Sequence, residues 1–475
     1  MKRTVFAMCL AAAGILCAVL APLSAQQGPS LPTSLPSDAQ IREILAERID
    51  VQHRNVGIVV GIVTPAGQRI VPYGRFSQDS PRPVTGDTVF EIGSVTKVFT
   101  SMLFADMVRR GEVNLADPVA RHLPPGVKVR SNGDRTIALV DLATHTSGLP
   151  LWPSGIPATR EGALAMATYS EAQLFQFLSG FEIPADIGSK WAYSNIDAGL
   201  LGLALAHRAN STYEALIKTR LTGPLQMGST AVALSPEMKA RRAVGYDAEL
   251  RVAPSWDVPT LAGAGSLHSS TTDLLTFLAS LESDRSPLAG AMTTMLETRR
   301  TGPGIPQALG WLVIATGPGD EGIVTHDGGT LGFASSIAYD PKTRTGVAVL
   351  SNTASGVGDI ARHLLRPAIP LTKPAGAAPQ KTEIQVDPKL FDRYAGRYEP
   401  SAGITFTVSR DSDTLTIQLP GVPPLRLRPE SESSFFVAEN TRVTVAFETG
   451  SDGRVARLLL RSPAGDTVAA RVEGR

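Results

Sequence analysis

The stretch EIGSVTKVFT, residues 91–100, places Ser94 and Lys97 three positions apart. Residues at this spacing share one face of a helix, so the hydroxyl and the amine would be neighbours. A serine hydroxyl becomes a nucleophile when a base takes its proton. A lysine can be that base if burial or nearby cations lower its pKa toward neutrality. The pair therefore predicts a nucleophile and its base, although a helix N-cap and a lysine reaching solvent would also explain the two residues.

Two later stretches contain residues that would complete such a site. Tyr193 and Asn195 form the only Y-x-N in the chain, where tyrosine offers a phenolic proton relay and asparagine an amide that can hold a carbonyl. His326 precedes Gly328 and Gly329, and glycine lets a backbone approach a ligand closely, so that a peptide N–H could complete an oxyanion hole. Taken singly, Tyr193 also fits a core position and the two glycines fit a hairpin turn.

Apolar residues at helical spacing follow Ser94 and predict an amphipathic helix that begins near it. These residues are Val95, Val98, Phe99 and Met102. Because the serine would lie at the start of this helix, a backbone N–H and the positive end of the helix dipole would be close to its hydroxyl.

Strand patterns occur on both sides of a mostly helical middle region. A continuous apolar run at 56–63 predicts a buried strand, and apolar strands return near 311–315, 335–339 and 346–350. We therefore expect one sheet that is assembled from both ends of the domain, with the helices in between.

The C-terminal part has a different pattern. Residues 371–386 are rich in Pro, Ala and Gly without periodicity, which predicts an interdomain linker. Beyond it, apolar and polar residues alternate in four short runs at 404–408, 415–419, 425–427 and 443–447. Such runs predict a small antiparallel barrel or sandwich over residues 387–475.

Composition argues against several classes of function. The 475 residues include 45 basic and 44 acidic ones, so neither a basic face nor a nucleic-acid partner is indicated. The histidines show no H-E-x-x-H or paired-ligand spacing, so no metal site is expected.

The N-terminus has the features of a secretory leader. Lys2 and Arg3 precede an apolar run, and small residues follow it up to Ala25, which predicts a signal peptide at 1–25 and a linker at 26–37. Both cysteines, Cys9 and Cys17, lie inside this leader, so the mature protein would contain no thiol. We expect a periplasmic or secreted protein with no stable membrane span after leader removal.

In chain order, Ser94–Lys97, Tyr193–Asn195 and His326–Gly328 resemble the three motifs of the penicillin-recognising serine hydrolases. This superfamily includes class C β-lactamases, D,D-peptidases, D-aminopeptidases and related esterases. The stretches DTVFEIGSVTKVFT, ATHTSGLP, KWAYSN and THDGGTLGFASS are similar to it as well. The resemblance implies, for residues 38–370, an α/β fold with an antiparallel sheet flanked by helices and a helical subdomain. FDRYAGRYEP, residues 391–400, resembles the start of a lipocalin-like barrel found in some members.

The resemblance also implies a role for each motif residue. Ser94 would be the acylated nucleophile and Lys97 its base, with Tyr193 sharing or taking over proton transfer. Asn195 would orient the substrate carbonyl, and the backbone N–H groups of Ser94 and Gly329 would form the oxyanion hole. No cofactor is implied, and the partner would be a small-molecule or peptide substrate.

The third motif departs from the common pattern of the superfamily. His326 would stand where many relatives carry lysine, and Asp327 would replace a hydroxyl residue that helps to bind a substrate carboxylate. If the side chain of Asp327 points into the site, it would repel such a carboxylate. This departure favours a peptide, amide or ester substrate without a carboxylate at that place.

The leading interpretation is thus an exported serine hydrolase, with peptidase or amidase activity first, esterase close behind and β-lactamase third. The alternative from another class is a penicillin-binding sensor that is acylated but does not turn over. His145 in ATHTSGLP is interpreted as structural. The barrel would restrict access to the site, bind a partner or only stabilise the protein, and the pattern does not distinguish these roles.

Overall fold

The computed structural model describes residues 35–156, 160–183, 187–282, 286–298, 300–301, 306–315, 320–372, 381–401, 404–419, 424–438, 440–450, 452–462 and 465–472. The predicted signal peptide, residues 26–34 of the first linker and residues 373–380 of the second lie outside this set. Among the described residues, no helix is both long and apolar enough to cross a membrane.

The N-terminal region contains eleven strands in its described part. In chain order they are β1 (Gly57–Thr64), β2 (Gly67–Ser77), β3 (Ser80–Pro83), β4 (Val89–Glu91), β5 (His268–Ser270), β6 (Arg300–Thr301), β7 (Pro306–Ala308), β8 (Trp311–Ile314), β9 (Ile323–Gly329), β10 (Ala334–Asp340) and β11 (Thr345–Ser351). Nine of them form one antiparallel sheet in the order β3-β2-β1-β11-β10-β9-β8-β7-β6, and β4 pairs with β5 separately. The expected sheet built from both ends of the domain is confirmed.

Twelve α-helices accompany these strands within the described ranges. They are α1 (Asp38–Ala46), α2 (Thr96–Arg109), α3 (Leu139–Ala143), α4 (Arg160–Ala165), α5 (Glu171–Gly180), α6 (Asn195–Arg208), α7 (Tyr213–Leu216), α8 (Pro236–Arg241), α9 (Ala262–Gly265), α10 (Thr271–Glu282), α11 (Ala289–Glu297) and α12 (Gly358–Leu365). Helices α3 to α9 lie between β4 and β5 in the chain and supply the helical subdomain.

Helices cover both faces of the sheet. Successive side chains of β1 point to opposite faces. Val59 and Val63 therefore join the core that α2 and α10 cover, whereas Ile58 and Val60 join the core that α1 and α12 cover. Burial on both faces explains why β1 is a continuous apolar run rather than an alternating one. The predicted fold class is confirmed.

Helix α2 differs from its prediction. Every residue from Thr96 to Met107 is buried, so the helix is enclosed on all sides and is not amphipathic. Polar side chains of this helix form hydrogen bonds inside the protein. The Thr100 hydroxyl, for example, lies 2.7 Å from the carbonyl oxygen of Gly263 and 2.7 Å from the Tyr213 hydroxyl.

The C-terminal region is a closed barrel of eight antiparallel strands. These are β12 (Gly396–Ser401), β13 (Ile404–Asp411), β14 (Thr414–Gln418), β15 (Leu425–Pro429), β16 (Ser434–Val437), β17 (Asn440–Thr449), β18 (Val455–Ser462) and β19 (Gly465–Val472). Neighbours in sequence pair in turn, and β12 pairs with β19 to close the ring. The expected small barrel is confirmed.

Aromatic side chains fill the interior of this barrel. Tyr394 stacks on Phe447 with ring centroids 4.3 Å apart, and Phe435 meets both rings edge-on. Tyr398 is buried completely. An eight-stranded barrel is just wide enough for its own side chains, so these rings occupy the space that a ligand would need.

Candidate active site

Ser94 lies in a 3-10 turn, Gly93–Val95, between β4 and α2. It is the one residue from Thr88 to Met107 that is not buried, so solvent reaches Ser94 while the residues around it are shielded from water. Gly93 has φ +47°, a left-handed conformation that glycine adopts without strain. The turn thus presents the serine at the start of a buried helix.

Lys97 follows one turn later and reaches back to the serine. Its Nζ lies 3.0 Å from Ser94 Oγ, 2.8 Å from Asn195 Oδ1 and 2.7 Å from the carbonyl oxygen of Ala264. Lys97 is only 2% exposed. Burial lowers its pKa from 10.5 to about 7, although the charge of Asp197 acts in the opposite direction. A substantial fraction of the amine is therefore neutral at physiological pH and can accept a proton.

Tyr193 approaches the serine from another side. Its hydroxyl donates a 2.7 Å hydrogen bond to Ser94 Oγ, and Lys97 Nζ lies 4.9 Å from the centre of its ring. Burial raises the pKa of Tyr193 well above 10. The phenol therefore remains protonated in the free site, where it is a donor and the neutral amine of Lys97 is an acceptor.

Asn195 is the first residue of α6, and the start of this helix is fixed by a cap. The side chain of Ser194 accepts from the backbone N–H of Asp197, and its hydroxyl donates a 2.7 Å hydrogen bond to the carbonyl of Pro150. These bonds hold the backbone on either side of Asn195, whose Oδ1 accepts from Lys97. The tyrosine and the asparagine of the Y-x-N stretch therefore both reach the Ser94–Lys97 pair.

The two glycines of the third stretch pack against the turn that holds the serine. A Cβ atom on Gly328 would lie 2.1 Å from the carbonyl oxygen of Ile92, and one on Gly93 would lie 2.8 Å from the nitrogen of Gly329. The Ser335 hydroxyl also donates a 2.7 Å hydrogen bond to Ile92. Glycine is therefore needed at Gly93 and Gly328 for contact between the two backbones, and this contact brings the peptide unit of Gly329 next to the turn that holds Ser94.

His326 faces the same side of the sheet as the serine. Its ring centroid is 6.4 Å from that of Tyr193, and its Nδ1–H donates to the carbonyl oxygen of Asp327 at 2.8 Å. Burial, together with the charge of Lys97, lowers the pKa of His326 to about 4. At neutral pH the ring is uncharged and Nε2 is left as an acceptor.

Asp327 does not face the site. It is the neighbour of His326 in β9, so its side chain projects from the opposite face of the sheet. There it accepts from the Ser336 hydroxyl at 2.7 Å and pairs with Arg362 of α12 at 2.7 Å. The assignment of the Asp327 side chain to substrate binding is therefore corrected, and its charge is not directed at a bound carboxylate.

This geometry predicts that the Asp327–Arg362 pair has little influence on selectivity. In the double variant Asp327→Asn/Arg362→Gln, the ratio of kcat/KM for a carboxylate-bearing peptide to that for its amide should change less than about threefold, as expected for a half-exposed pair worth roughly 0–1 kcal/mol. Steady-state kinetics with the two peptides measures this ratio. A shift of about tenfold or more, equal to roughly 1.4 kcal/mol, would mean that one of the two charges contacts the substrate.

Two buried residues next to the site were not among the predicted site residues. The ring of His145 lies 4.7 Å from that of Tyr193, and its Nδ1 is 3.4 Å from Asp197 Oδ2 and 3.3 Å from the backbone nitrogen of Ser194. Burial lowers the pKa of His145 and raises that of Asp197. The ring of His145 therefore packs against the ring of Tyr193. In the sequence, the only indication of Asp197 was that an acidic residue follows Asn195 by two positions. Nothing in the sequence indicated that the carbonyl oxygen of Ala264 would accept a hydrogen bond from Lys97.

Comparison with known proteins shows the family of the chain. The profile described as "Beta-lactamase" matches residues 38–368, which is more than half of the chain. The chain belongs to the beta-lactamase family. Residues 380–471 match a second profile, described as "Domain of unknown function (DUF3471)", which covers the strands of the barrel.

Relatives of this beta-lactamase-family protein include peptidases and penicillin-binding proteins. The chain is 31% identical over 301 residues to the D-alanyl-D-alanine-carboxypeptidase/endopeptidase AmpH of Escherichia coli K12, which corresponds to 58% of this chain and 77% of AmpH. It is 27% identical over 422 residues to penicillin-binding protein 4* of Bacillus subtilis, which corresponds to 82% and 88% of the two chains.

Solved structures agree with the fold of the beta-lactamase-family domain. The beta-lactamase/D-alanine carboxypeptidase of Yersinia pestis, complexed with citrate, superposes with a TM-score of 0.59 at 25% identity over 70% of this chain and 97% of that one. A class C beta-lactamase superposes with a TM-score of 0.60 at 21% identity, over 71% and 98% of the two chains.

Proposed function

We propose that this beta-lactamase-family protein is an exported serine hydrolase that cleaves an amide bond of a peptide, or an ester bond, through an acyl-enzyme at Ser94. The observation that carries the proposal is the position of Ser94 Oγ, 3.0 Å from a lysine amine with a pKa near 7 and 2.7 Å from a protonated phenol. A nucleophile, a base and a proton donor therefore meet at one point that solvent reaches.

Acylation follows from this arrangement. Neutral Lys97 takes the proton of Ser94 while Oγ forms a bond to the substrate carbonyl carbon. The carbonyl oxygen becomes negative and is held by the N–H groups of Ser94 and Gly329. The C–N or C–O bond then breaks, Tyr193 gives its proton to the leaving group, and the Lys97 ammonium restores the phenol. Asn195, held by Lys97, orients the carbonyl.

Deacylation uses the same groups in reverse. A water molecule takes the place of the leaving group and loses its proton to the base as it attacks the acyl carbon. Ser94 Oγ then leaves and regains a proton, so the enzyme returns to its starting state. The two half-reactions consume one water and release an amine or alcohol and a carboxylic acid.

The charge states of the side chains on β9 and α12 favour a substrate without a carboxylate next to His326. His326 is uncharged at neutral pH, and Arg362 is paired with Asp327 on the far face of the sheet. Neither supplies a positive charge for a substrate carboxylate. Among peptidase activities this favours cleavage within a peptide, which is one of the two activities in the name of AmpH, over removal of a C-terminal residue. Esters rank second and β-lactams third.

The mass of the intact protein tests the acyl-enzyme. We expect an acyl adduct after incubation with p-nitrophenyl acetate, which has no carboxylate, and a slower one with benzylpenicillin. An adduct that disappears with time shows turnover, whereas one that persists with every donor would show the non-turnover sensor instead. Absence of any adduct with both reagents contradicts the proposal. The same spectra give the N-terminus of exported protein, which should begin at Gln26 if the leader is cleaved after Ala25.

A further inference from the structure

The barrel carries a cleft at one of its two ends. The cleft has a volume of about 870 Å³ and is lined by the end of the 3-10 helix Pro388–Arg393, the start of β12, the β17–β18 turn and the end of β19. Since aromatic side chains fill the interior, this rim is where the barrel could bind a small molecule. Ligand pockets commonly measure roughly 300–1,000 Å³, so the cleft is much larger than a single oxyanion needs.

Positive charge is concentrated in this cleft. Residues 387–475 contain 12 basic and 12 acidic residues, so the domain as a whole is balanced. Four arginines nevertheless line the cleft, and only two acids accompany them. The arginines are Arg393, Arg397, Arg454 and Arg471, and the acids are Asp392 and Asp452.

One of the two acids is paired outside the set of four arginines, so the arginines outnumber the remaining acid. Asp392 is paired with Arg410 at 2.6 Å, and Asp452 accepts from the backbone N–H of residue 454 at 3.0 Å. Among the described residues, the side chains of Arg393, Arg397 and Arg454 form no hydrogen bond or ion pair, and all three are exposed. In the described part of the barrel, four arginines beside the single unpaired carboxylate of Asp452 leave the cleft with a net positive charge, and an anion between the arginines would reduce their mutual repulsion.

One of the four arginines is held in place by the fold. Arg471 donates to the carbonyl oxygens of Arg393 and Ala395, at 2.8 and 2.7 Å, and its guanidinium lies 5.9 Å from the centre of the Tyr398 ring. A Cβ atom on Gly396 would lie 3.2 Å from this guanidinium, so the strand start leaves room for it. These partners fix its position but carry no negative charge.

We propose that this cleft binds an anion that carries two or more phosphate or carboxylate groups. The planar guanidinium fork matches both groups with paired hydrogen bonds. Four such cations from separate segments of the barrel would recognise spaced anionic groups better than a single one. The domain would then be a ligand-binding module that is chemically distinct from the neutral surroundings of His326.

Calorimetric titration of the full-length protein tests this proposal. The probes are inorganic pyrophosphate and tricarballylate, which distinguish phosphate from carboxylate ligands. We expect binding at low ionic strength that is lost near 1 M salt, where the Debye length is about 3 Å. The double variant Arg393→Ala/Arg454→Ala should bind at least about tenfold more weakly, since it removes two of the cations that would form charge-assisted hydrogen bonds to the anion.

The control changes the net charge equally outside the cleft. Arg428 and Arg461 belong to the same barrel, do not line the cleft and are paired with Glu383 and Asp466. Their double alanine variant should bind within about twofold of the wild type, because neither side chain lines the cleft and each already has an acidic partner. Equal weakening in both double variants, or binding of neither probe by the wild type, would overturn the proposal. Binding of only one probe would identify the anionic group.

Discussion

Replacement of Ser94 by alanine is expected to abolish acylation while leaving the fold intact. The hydroxyl is the atom on which Lys97 and Tyr193 converge, and no other serine reaches both groups within the described ranges. Removal of the nucleophile from other acyl-enzymes lowers turnover by about 10⁶-fold. Mass spectrometry with p-nitrophenyl acetate should show no adduct on Ser94→Ala.

A nearby serine provides the control for this experiment. Ser255 is exposed and its Oγ accepts from Arg242, without contact to the Ser94–Lys97 pair. Ser255→Ala should retain the adduct at the wild-type rate. An adduct of unchanged mass on Ser94→Ala would identify a different nucleophile and remove the basis of the proposed function.

Replacement of Lys97 by methionine should lower the acylation rate by roughly 10²–10⁴-fold, the usual contribution of a general base. Methionine fills a similar volume but cannot accept the serine proton. For the wild type, the acylation rate should rise with pH up to a pKa near 7, where Lys97 becomes neutral, and then level off. This step in the pH profile should be missing from the residual activity of Lys97→Met.

Tyr193→Phe separates the roles of the two groups. The variant loses the proton donor but keeps the amine of Lys97, so its lower rate should still show a step near pH 7, moved only modestly. The acylation rates of the wild type, Lys97→Met and Tyr193→Phe, measured as a function of pH, test this assignment of roles. A profile of Tyr193→Phe without the step would make the phenol, and not the amine, the base.

The lowered pKa of buried Lys97 should also make the free energy of unfolding depend on pH. In the unfolded chain the lysine keeps a pKa of 10.5, and in the folded protein it loses its proton near pH 7. Between these values the unfolded state binds more protons, so the free energy of unfolding rises with pH. Relative to Lys97→Met, the wild type should gain up to roughly 3–5 kcal/mol across this window, at 1.36 kcal/mol per pKa unit. Urea unfolding at several pH values measures the gain, and parallel curves for the two proteins would contradict it.

The convergence of Ser94, Lys97, Tyr193 and Asn195 could be predicted from the sequence because much of it depends on spacing. Ser94 and Lys97 are one helical turn apart, and Tyr193 and Asn195 flank a capping serine, so local structure alone aligns each pair. Tertiary packing brings these two pairs close to each other and to His326. In the sequence, the order of the three motifs along the chain was the only indication of this proximity.

The departures from expectation have local causes as well as tertiary ones. Alternation along β9 requires His326 and Asp327 to face opposite sides, so the orientation of Asp327 followed from the placement of its neighbour and was overlooked. The full burial of α2 was hidden by polar residues such as Thr100, whose partner Gly263 is distant in sequence. In the barrel, β16 is only four residues long and shows no alternation, because three of its residues are buried in succession.

The pairing of β1 with β11 has a consequence for synthesis of the chain. Ile58 of β1 pairs with Ser351 of β11, so nearly 300 further residues must be translated before this interior strand can pair with its second neighbour. Until then β2 can cover one edge of β1, and the other edge exposes an apolar run that is prone to pair with other chains. A chaperone that holds the nascent chain would therefore be most useful before residue 345 emerges, and a ribosome stalled there would release an aggregation-prone product.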